Sequence, residues 1–116
     1  MEFRKQKPIY LQIAERLMEQ VLAGQLAADD RMPSVRDVAA QMGVNPNTVV
    51  RTFDYLQQEE IIFNRRGVGY FVAEGASERI LALQRREFLD EELPYIRQRM
   101  KTLGISINDL TLDDVV

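Results

Sequence analysis

The stretch that decides the fold is Ser34-Val35-Arg36-Asp37-Val38-Ala39-Ala40-Gln41-Met42-Gly43-Val44-Asn45-Pro46-Asn47-Thr48-Val49-Val50-Arg51. It opens with the acidic form of a capping box, in which the Ser34 hydroxyl accepts from the Asp37 amide and the Asp37 carboxylate favours a helix start. Val38, Ala39 and Met42 give that helix one apolar side, and Gly43 ends it. Asn45-Pro46 is a second start signal, with Asn as N-cap and Pro at the first helical position, where its missing N–H costs nothing. The helix it opens is predicted to reach about Glu59, burying Val49, Phe53 and Leu56 at i, i+4 and i+7. Two helices joined only by Gly-Val-Asn form a helix-turn-helix.

Upstream, Ile9, Ile13, Leu17 and Val21 recur every fourth residue with Ala14, Met18 and Leu22 beside them, which predicts an amphipathic helix from Pro8 to about Ala23 stopped by Gly24. Residues 25–31 then read as a short loop leading through Met32-Pro33 to Ser34. Downstream of Glu60 the pattern becomes extended. Ile61-Ile62-Phe63 and Tyr70-Phe71-Val72 are β-branched and aromatic runs separated by Asn64-Arg65-Arg66-Gly67-Val68-Gly69, a connection of hairpin type. Three helices followed by a hairpin with an Arg-Arg-Gly tip make an α+β fold, a winged helix-turn-helix.

Glu74-Gly75-Ala76-Ser77 reads as a linker with Ser77 as a candidate N-cap, so the winged domain is expected over 1–75 and a helical region over 76–116. In that region Leu89, Leu93, Ile96, Met100 and Leu103 are spaced 4, 3, 4, 3, the alternation of a coiled-coil-like seam, and Leu81 and Phe88 extend it upstream. Pro94 stands inside the stripe and predicts a kink or break near residues 90–93. Gly104 closes the segment, and Ser106 to Leu110 is a candidate last short helix. The winged domain already has its helices and hairpin, so the seam is surplus to it, and surplus apolar stripes usually find a partner chain. Leu89, Leu93, Ile96, Met100 and Leu103 are therefore the candidate dimerisation residues, the alternative being packing on the same subunit.

The chain has 116 residues, 46% hydrophobic and 28% charged, enough for one ordinary domain with an appendage but not for a large catalytic architecture. With no Cys and no His, disulfides, zinc fingers, thiol nucleophiles and imidazole bases are excluded, and no cofactor or metal is expected. Asp90-Glu91-Glu92 is a dense run of carboxylates, but no nucleophile or phosphate loop accompanies it, so an enzyme is not expected. No apolar run approaches the roughly 20 residues that cross a bilayer. No signal peptide is visible behind Met1, and a cytoplasmic location without membrane contact is expected. The formal net charge of −3 gives no bulk support for nucleic-acid binding. Divided along the chain it is more informative: residues 1–75 hold nine basic against ten acidic side chains, and 76–116 hold six against eight. The winged part is almost neutral, so placement of a few arginines decides what it can bind.

Asn47, Arg51 and Tyr55, at i, i+4 and i+8, fall on one line of the second helix of the pair, with Thr48 beside them and Asn45 at the turn. Arg suits guanine, Asn suits adenine, and Thr serves a phosphate or a thymine methyl in a major groove. Arg36 lies one turn inside a helix whose N-terminus attracts phosphate. Arg65, Arg66 and Gly67 form the wing tip, where a cation enters a minor groove and glycine permits close approach. The candidate DNA-binding set is thus Arg36, Asn45, Asn47, Thr48, Arg51, Tyr55, Arg65, Arg66 and Gly67, with Arg4, Lys5 and Lys7 as further phosphate candidates. Each has a plainer reading: a polar solvated helix face, an Arg36–Asp37 surface ion pair, a hairpin turn and a basic end.

Four segments in order carry a specific resemblance: Pro8-Ile9-Tyr10-Leu11-Gln12-Ile13, Met32-Pro33-Ser34-Val35-Arg36-Asp37-Val38-Ala39, Gly43-Val44-Asn45-Pro46-Asn47-Thr48-Val49 and Arg66-Gly67-Val68-Gly69-Tyr70-Phe71-Val72. Over about residues 8–74 the chain resembles the N-terminal domain of GntR-type bacterial transcription regulators. The resemblance implies a winged-helix DNA-binding protein acting as a homodimer on palindromic double-stranded DNA operators. It further implies a C-terminal region for effector binding or oligomerisation. Only about 40 residues follow the wing, which is similar to the YtrA branch, where a reduced C-terminal region serves mainly dimerisation. Carried onto this chain, the family's contacts imply Arg36, Asn47, Thr48 and the wing around Gly67 and Gly69. Relatives in other branches have Arg at the positions of Pro46 and Val50, so those two contacts are missing here, with Arg51 as a candidate substitute on a face about 100° away.

The function so implied is a sequence-specific, homodimeric DNA-binding regulator, a repressor rather than an activator because so short a chain has little surface for recruiting polymerase. The alternative is a winged-helix protein-interaction module that does not touch DNA. Control by a small-molecule effector of unknown identity and control by protein concentration alone both stay open.

Overall fold

The computed structural model describes residues 7–110. Arg4 and Lys5, among the phosphate candidates, lie outside the described residues. The elements follow in the order α1 (Ile9–Leu22), α2 (Val35–Met42), α3 (Pro46–Gln58), β1 (Ile62–Arg65), β2 (Gly69–Val72), α4 (Ala76–Glu87), a π-helical turn (Phe88–Glu92), α5 (Leu93–Leu103) and a 3₁₀ turn (Ile107–Asp109). The described residues divide into two compact units, one over residues 7–83 and one over 84–110, and each is described separately.

In the first unit the apolar stripes meet as their spacing predicts. Ile13, Ala14, Leu17, Met18 and Val21 of α1 are buried, as are Val38 and Ala39 of α2 and Val49, Phe53 and Leu56 of α3. Burying the Val, Leu, Ile, Met and Phe side chains among these contributes roughly 1.5–3 kcal/mol each, before chain entropy is subtracted. Ile61, Ile62 and Val72 close the core from the hairpin side, and Phe53 meets the Tyr70 ring edge-on with centroids 4.9 Å apart. Thr52 is the one buried polar residue of the core among the described residues. Its hydroxyl is satisfied by donating to the Tyr10 carbonyl at 2.7 Å, which ties α3 to the first turn of α1.

The helix signals are realised as read. The Ser34 hydroxyl accepts from the Asp37 amide at 3.0 Å, and the Asn45 side chain accepts from the Asn47 amide at 2.8 Å. Gly43 ends α2 at φ +66°, in the left-handed region that glycine enters without steric cost.

β1 and β2 pair antiparallel with Ile62 opposite Val72, Phe63 opposite Phe71, Asn64 opposite Tyr70 and Arg65 opposite Gly69. The stretch expected to be a plain loop before Met32 is tied to β2 by an isolated bridge, while the sheet itself keeps two strands. The Asp29 amide donates to the Val72 carbonyl at 2.8 Å, Val72 returns a bond to Asp30 at 2.9 Å, and the Met32 amide donates to Tyr70 at 2.7 Å. Arg31 forms an antiparallel bridge with Phe71. Pairing to β2 satisfies backbone groups that a free loop would leave to water.

The linker reading of residues 74–77 is corrected: the helix begins at Ala76, so Ser77 lies inside it rather than at its cap. Ala76 and Ile80 are buried in the same core as α1–α3, and Leu83 packs against it. Arg79 fastens this helix to the base of the hairpin by donating to the carbonyls of Glu60 at 3.0 Å and Glu74 at 2.8 Å. The winged unit therefore extends to Leu83, not to residue 75, because the first turns of α4 complete its core.

In the second unit the interruption expected near residues 90–93 is the π-helical turn. The Leu93 amide bonds to the Phe88 carbonyl, five residues back, which widens the helix just ahead of Pro94. A regular α-helix would press the Pro94 ring against the Asp90 carbonyl. α5 then runs to Leu103 and ends at Gly104 with φ +68°. Leu93, Ile96 and Met100 are half-buried, and Leu89 and Leu103 exposed. The candidate helix after Ser106 is the 3₁₀ turn, closed by the Ser106 amide donating to Asp109 Oδ2 at 2.7 Å.

Candidate nucleic-acid interface

The N-terminus of α3 is built by the two residues whose chemistry is local. Asn45 occupies its carbonyl oxygen in capping, and Pro46 fixes the first turn, which leaves the Asn47 side chain exposed at the tip. Thr48 is half-buried beside it. The line Asn47, Arg51, Tyr55 does not stay on one free face. Tyr55 is half-buried and meets Tyr10 of α1 edge-on, with centroids 6.3 Å apart and planes at 74°. Arg51 is exposed but directed, its guanidinium carbon 4.0 Å from the centre of the Tyr10 ring. Packing of α1 against α3 covers this side of the helix and rotates the free face toward Asn47, Val50 and Asp54, all exposed.

The exposure of Val50 and the platform role of Tyr10 are not legible in the sequence. Val50 is 41% exposed, a large apolar side chain beside the exposed Asn47 and Asp54. Tyr10 was read only as part of a motif, although it supplies the platform for Arg51. A ring and a guanidinium at this distance attract by about 0.5–1 kcal/mol at an exposed site, which restricts the rotamers of a long side chain before any ligand arrives.

Arg36 is exposed in the first turn of α2, and no ion pair joins it to Asp37 among the described residues. In the wing, the Val68 amide donates to the Arg65 carbonyl at 2.9 Å, closing a turn whose tip is Arg66-Gly67. Gly67 has φ +76°, which favours glycine there on conformational grounds alone. Arg66 is exposed, and Arg65 lies back along the sheet, its guanidinium carbon 4.5 Å from the centre of the Phe71 ring. Phe71 in turn stacks on Phe63 at 5.9 Å. Lys7 pairs with Glu15, so its charge is shared within the protein. That is the one ion pair among the described residues; Arg36, Arg51, Arg65 and Arg66 enter none. No group of three or more acidic side chains among the described residues is placed to hold a metal ion. No helix among them is long and apolar enough to cross a membrane.

A helix-turn-helix with a capped, exposed second helix and an arginine-tipped hairpin defines the class: a winged-helix DNA-binding domain. The family model for bacterial regulatory proteins of the gntR family matches residues 9–72, and the chain belongs to that family. It is a transcription regulator, not an enzyme. Among curated relatives, an HTH-type transcriptional regulator of Bacillus subtilis, YhcF, is 37% identical over 109 residues, spanning 94% of this chain and 88% of its own. The transcriptional repressor YtrA of the same organism is 32% identical over 102 residues, spanning 88% and 72%. A solved GntR-family regulator of Bacteroides thetaiotaomicron superposes with a TM-score of 0.77 at 46% identity, covering 88% of each chain. The DNA-binding domain of AraR, solved in complex with its operator ORX1, superposes with a TM-score of 0.56 at 25% identity over 58% of this chain and 81% of that one. These likenesses place the chain with the YtrA- and YhcF-type regulators.

Proposed function

We propose that the chain is a homodimeric repressor that binds an inverted-repeat operator in double-stranded DNA. α3 enters a major groove by its N-terminal end, where Asn47, Thr48 and Arg51 reach bases or phosphates, while Asn45 sets the end of the helix. Arg36 supports the helix from α2 by a phosphate contact. The wing follows an adjacent minor groove with Arg65, Arg66 and Gly67, and Tyr55 acts from behind by holding the Tyr10 platform. Leu89, Leu93, Ile96, Met100 and Leu103 hold the partner subunit. The observation that carries this reading is that the arginines of the helix-turn-helix and wing make no ion pair with any described residue. Their charge is left for an external polyanion, as a phosphate backbone requires. The repressor sense follows the naming of YtrA.

Selection of bound fragments from the source genome, followed by footprinting, tests the reading. A two-fold dimer requires an inverted repeat with half-sites about one helical turn apart. Arg51→Ala, and Arg65→Ala with Arg66→Ala, should each weaken binding and reduce its salt dependence. Binding that is unchanged in both variants removes the site assignment. A chain that retains no genomic DNA at low salt would be a protein-interaction module instead.

A further inference from the structure

The outward side of the wing sheet brings a further cation, Arg31, beside Arg65. Directly opposed residues on neighbouring antiparallel strands share a face. Arg31 stands opposite Phe71 at the isolated bridge, Phe71 stands opposite Phe63, and Arg65 stands opposite Gly69. Arg31, Phe71, Phe63, Arg65 and Gly69 therefore line one face. The Arg65 guanidinium lies over Phe71. The Arg31 head fills the space above residue 69: a Cβ there would sit 3.1 Å from Arg31 Nε and 3.3 Å from its Nη2. Gly69 thus meets two demands, a φ of +142° and room for a guanidinium.

This leaves two like charges at one corner of a sheet, over apolar rings. Among the described residues neither guanidinium makes a hydrogen bond or an ion pair. The adjacent Asp30 carboxylate is engaged elsewhere, accepting from the Ala27 amide at 2.8 Å. Like charges so placed repel, and an anion with several oxygens relieves them.

We propose that Arg31 and Arg65 form a phosphate clamp for the DNA backbone beside the turn end of the wing sheet, with Gly69 kept small to admit the Arg31 head. The clamp carries no base information; it fixes how deeply the wing sits, as backbone contacts do. This inference rests on the DNA-binding reading above.

The test is a fluorescence-anisotropy titration of the full chain on two labelled duplexes, one of random sequence and one selected by the protein from a random pool, at salt from about 50 to 200 mM. Arg31→Gln should lower affinity several-fold by a similar factor on both duplexes, and reduce the slope of log affinity against log salt by about 0.9 per subunit bound, about 1.8 for a dimer that loses two phosphate contacts. Arg65→Gln should act in the same sense, and Arg31→Lys should keep the slope. If Arg31→Gln matches the wild type while Arg66→Gln weakens binding, the clamp is wrong and the DNA reading stands. A loss in Arg31→Lys as large as in Arg31→Gln, with a lowered urea midpoint, would give Arg31 a structural role and overturn the clamp. Absence of salt-dependent binding by the wild type would overturn the DNA reading itself.

Discussion

At the scale of single residues, two arginines are held by neighbours far away in the chain. Arg51 rests on Tyr10 of α1. Tyr10→Leu keeps the apolar contact but removes the quadrupole, so Arg51 should regain rotamer freedom and DNA affinity should fall by about two- to fivefold per half-site, the equivalent of about 0.5–1 kcal/mol of stacking. Equal affinity in anisotropy titrations would mean that Arg51 needs no platform. Arg31 rests above Gly69, where an added methyl would meet its guanidinium and carry a strained φ. Gly69→Ala should lower stability to urea by roughly 1–3 kcal/mol and reduce the salt slope as Arg31→Gln does. The residues visible in the sequence were those whose work is local. Ser34, Gly43, Asn45 and Pro46 act on amides or angles within three positions of themselves, so a short motif suffices to read them. Tyr10 and Arg31 act across elements, and nothing in their immediate sequence distinguishes them from any exposed aromatic or basic side chain. Tyr55 shows the same limit from the other side: its spacing puts it in line with Asn47 and Arg51, but its ring packs against Tyr10 of α1 while those two stay exposed.

At the scale of elements, periodicity located α1, α2, α3 and both hairpin strands to within a residue or two, since each carries a sustained apolar stripe or a β-branched run. The bridge of Arg31 to Phe71 is not legible in the sequence. The stretch around it is short, contains two aspartates and ends against Pro33, and it is held in place by backbone bonds to β2. The start of α4 was misplaced for a related reason: Gly75 looks like a break, yet Ala76 and Ile80 are core residues of the winged unit. Ile80 is fully buried, and Ile80→Ala should destabilise the winged unit by about 2–5 kcal/mol in urea unfolding. An effect below about 0.5 kcal/mol would restore the boundary at residue 75. The π-helical turn before Pro94 was foreseen as an interruption but not as this one. A proline states where a regular helix fails; which of a kink, a break or a widened turn results depends on the packing of the flanking residues.

At the scale of the whole molecule, the proposed dimer would meet an inverted repeat through two weak half-site contacts, each weakened by the acidic balance. Net charge −3 leaves little general attraction to DNA, so in that proposal most binding energy comes from a few oriented arginines acting twice. Linking the two half-site events through a dimer raises avidity by about 10²–10⁴ without any new contact. The seam on α5 is the candidate link, with Leu93, Ile96 and Met100 half-buried and Leu103 exposed along one helix. Ile96→Glu places a charge in the middle of it, and desolvating that charge without a partner opposes association. Sedimentation of this variant should show monomers. The winged unit has its own core and does not use Ile96 in it, so the variant should keep the wild-type urea midpoint for that unit and still bind an isolated half-site as well as the wild type does. Its affinity for the full inverted repeat should drop by two or more orders of magnitude, and the salt slope should fall to about half, because half the phosphate contacts are lost. A dimer that persists in the Ile96→Glu variant would move the interface off α5. A monomer that binds the full repeat undiminished would remove the dimeric basis of recognition while leaving the winged domain as the DNA-binding element.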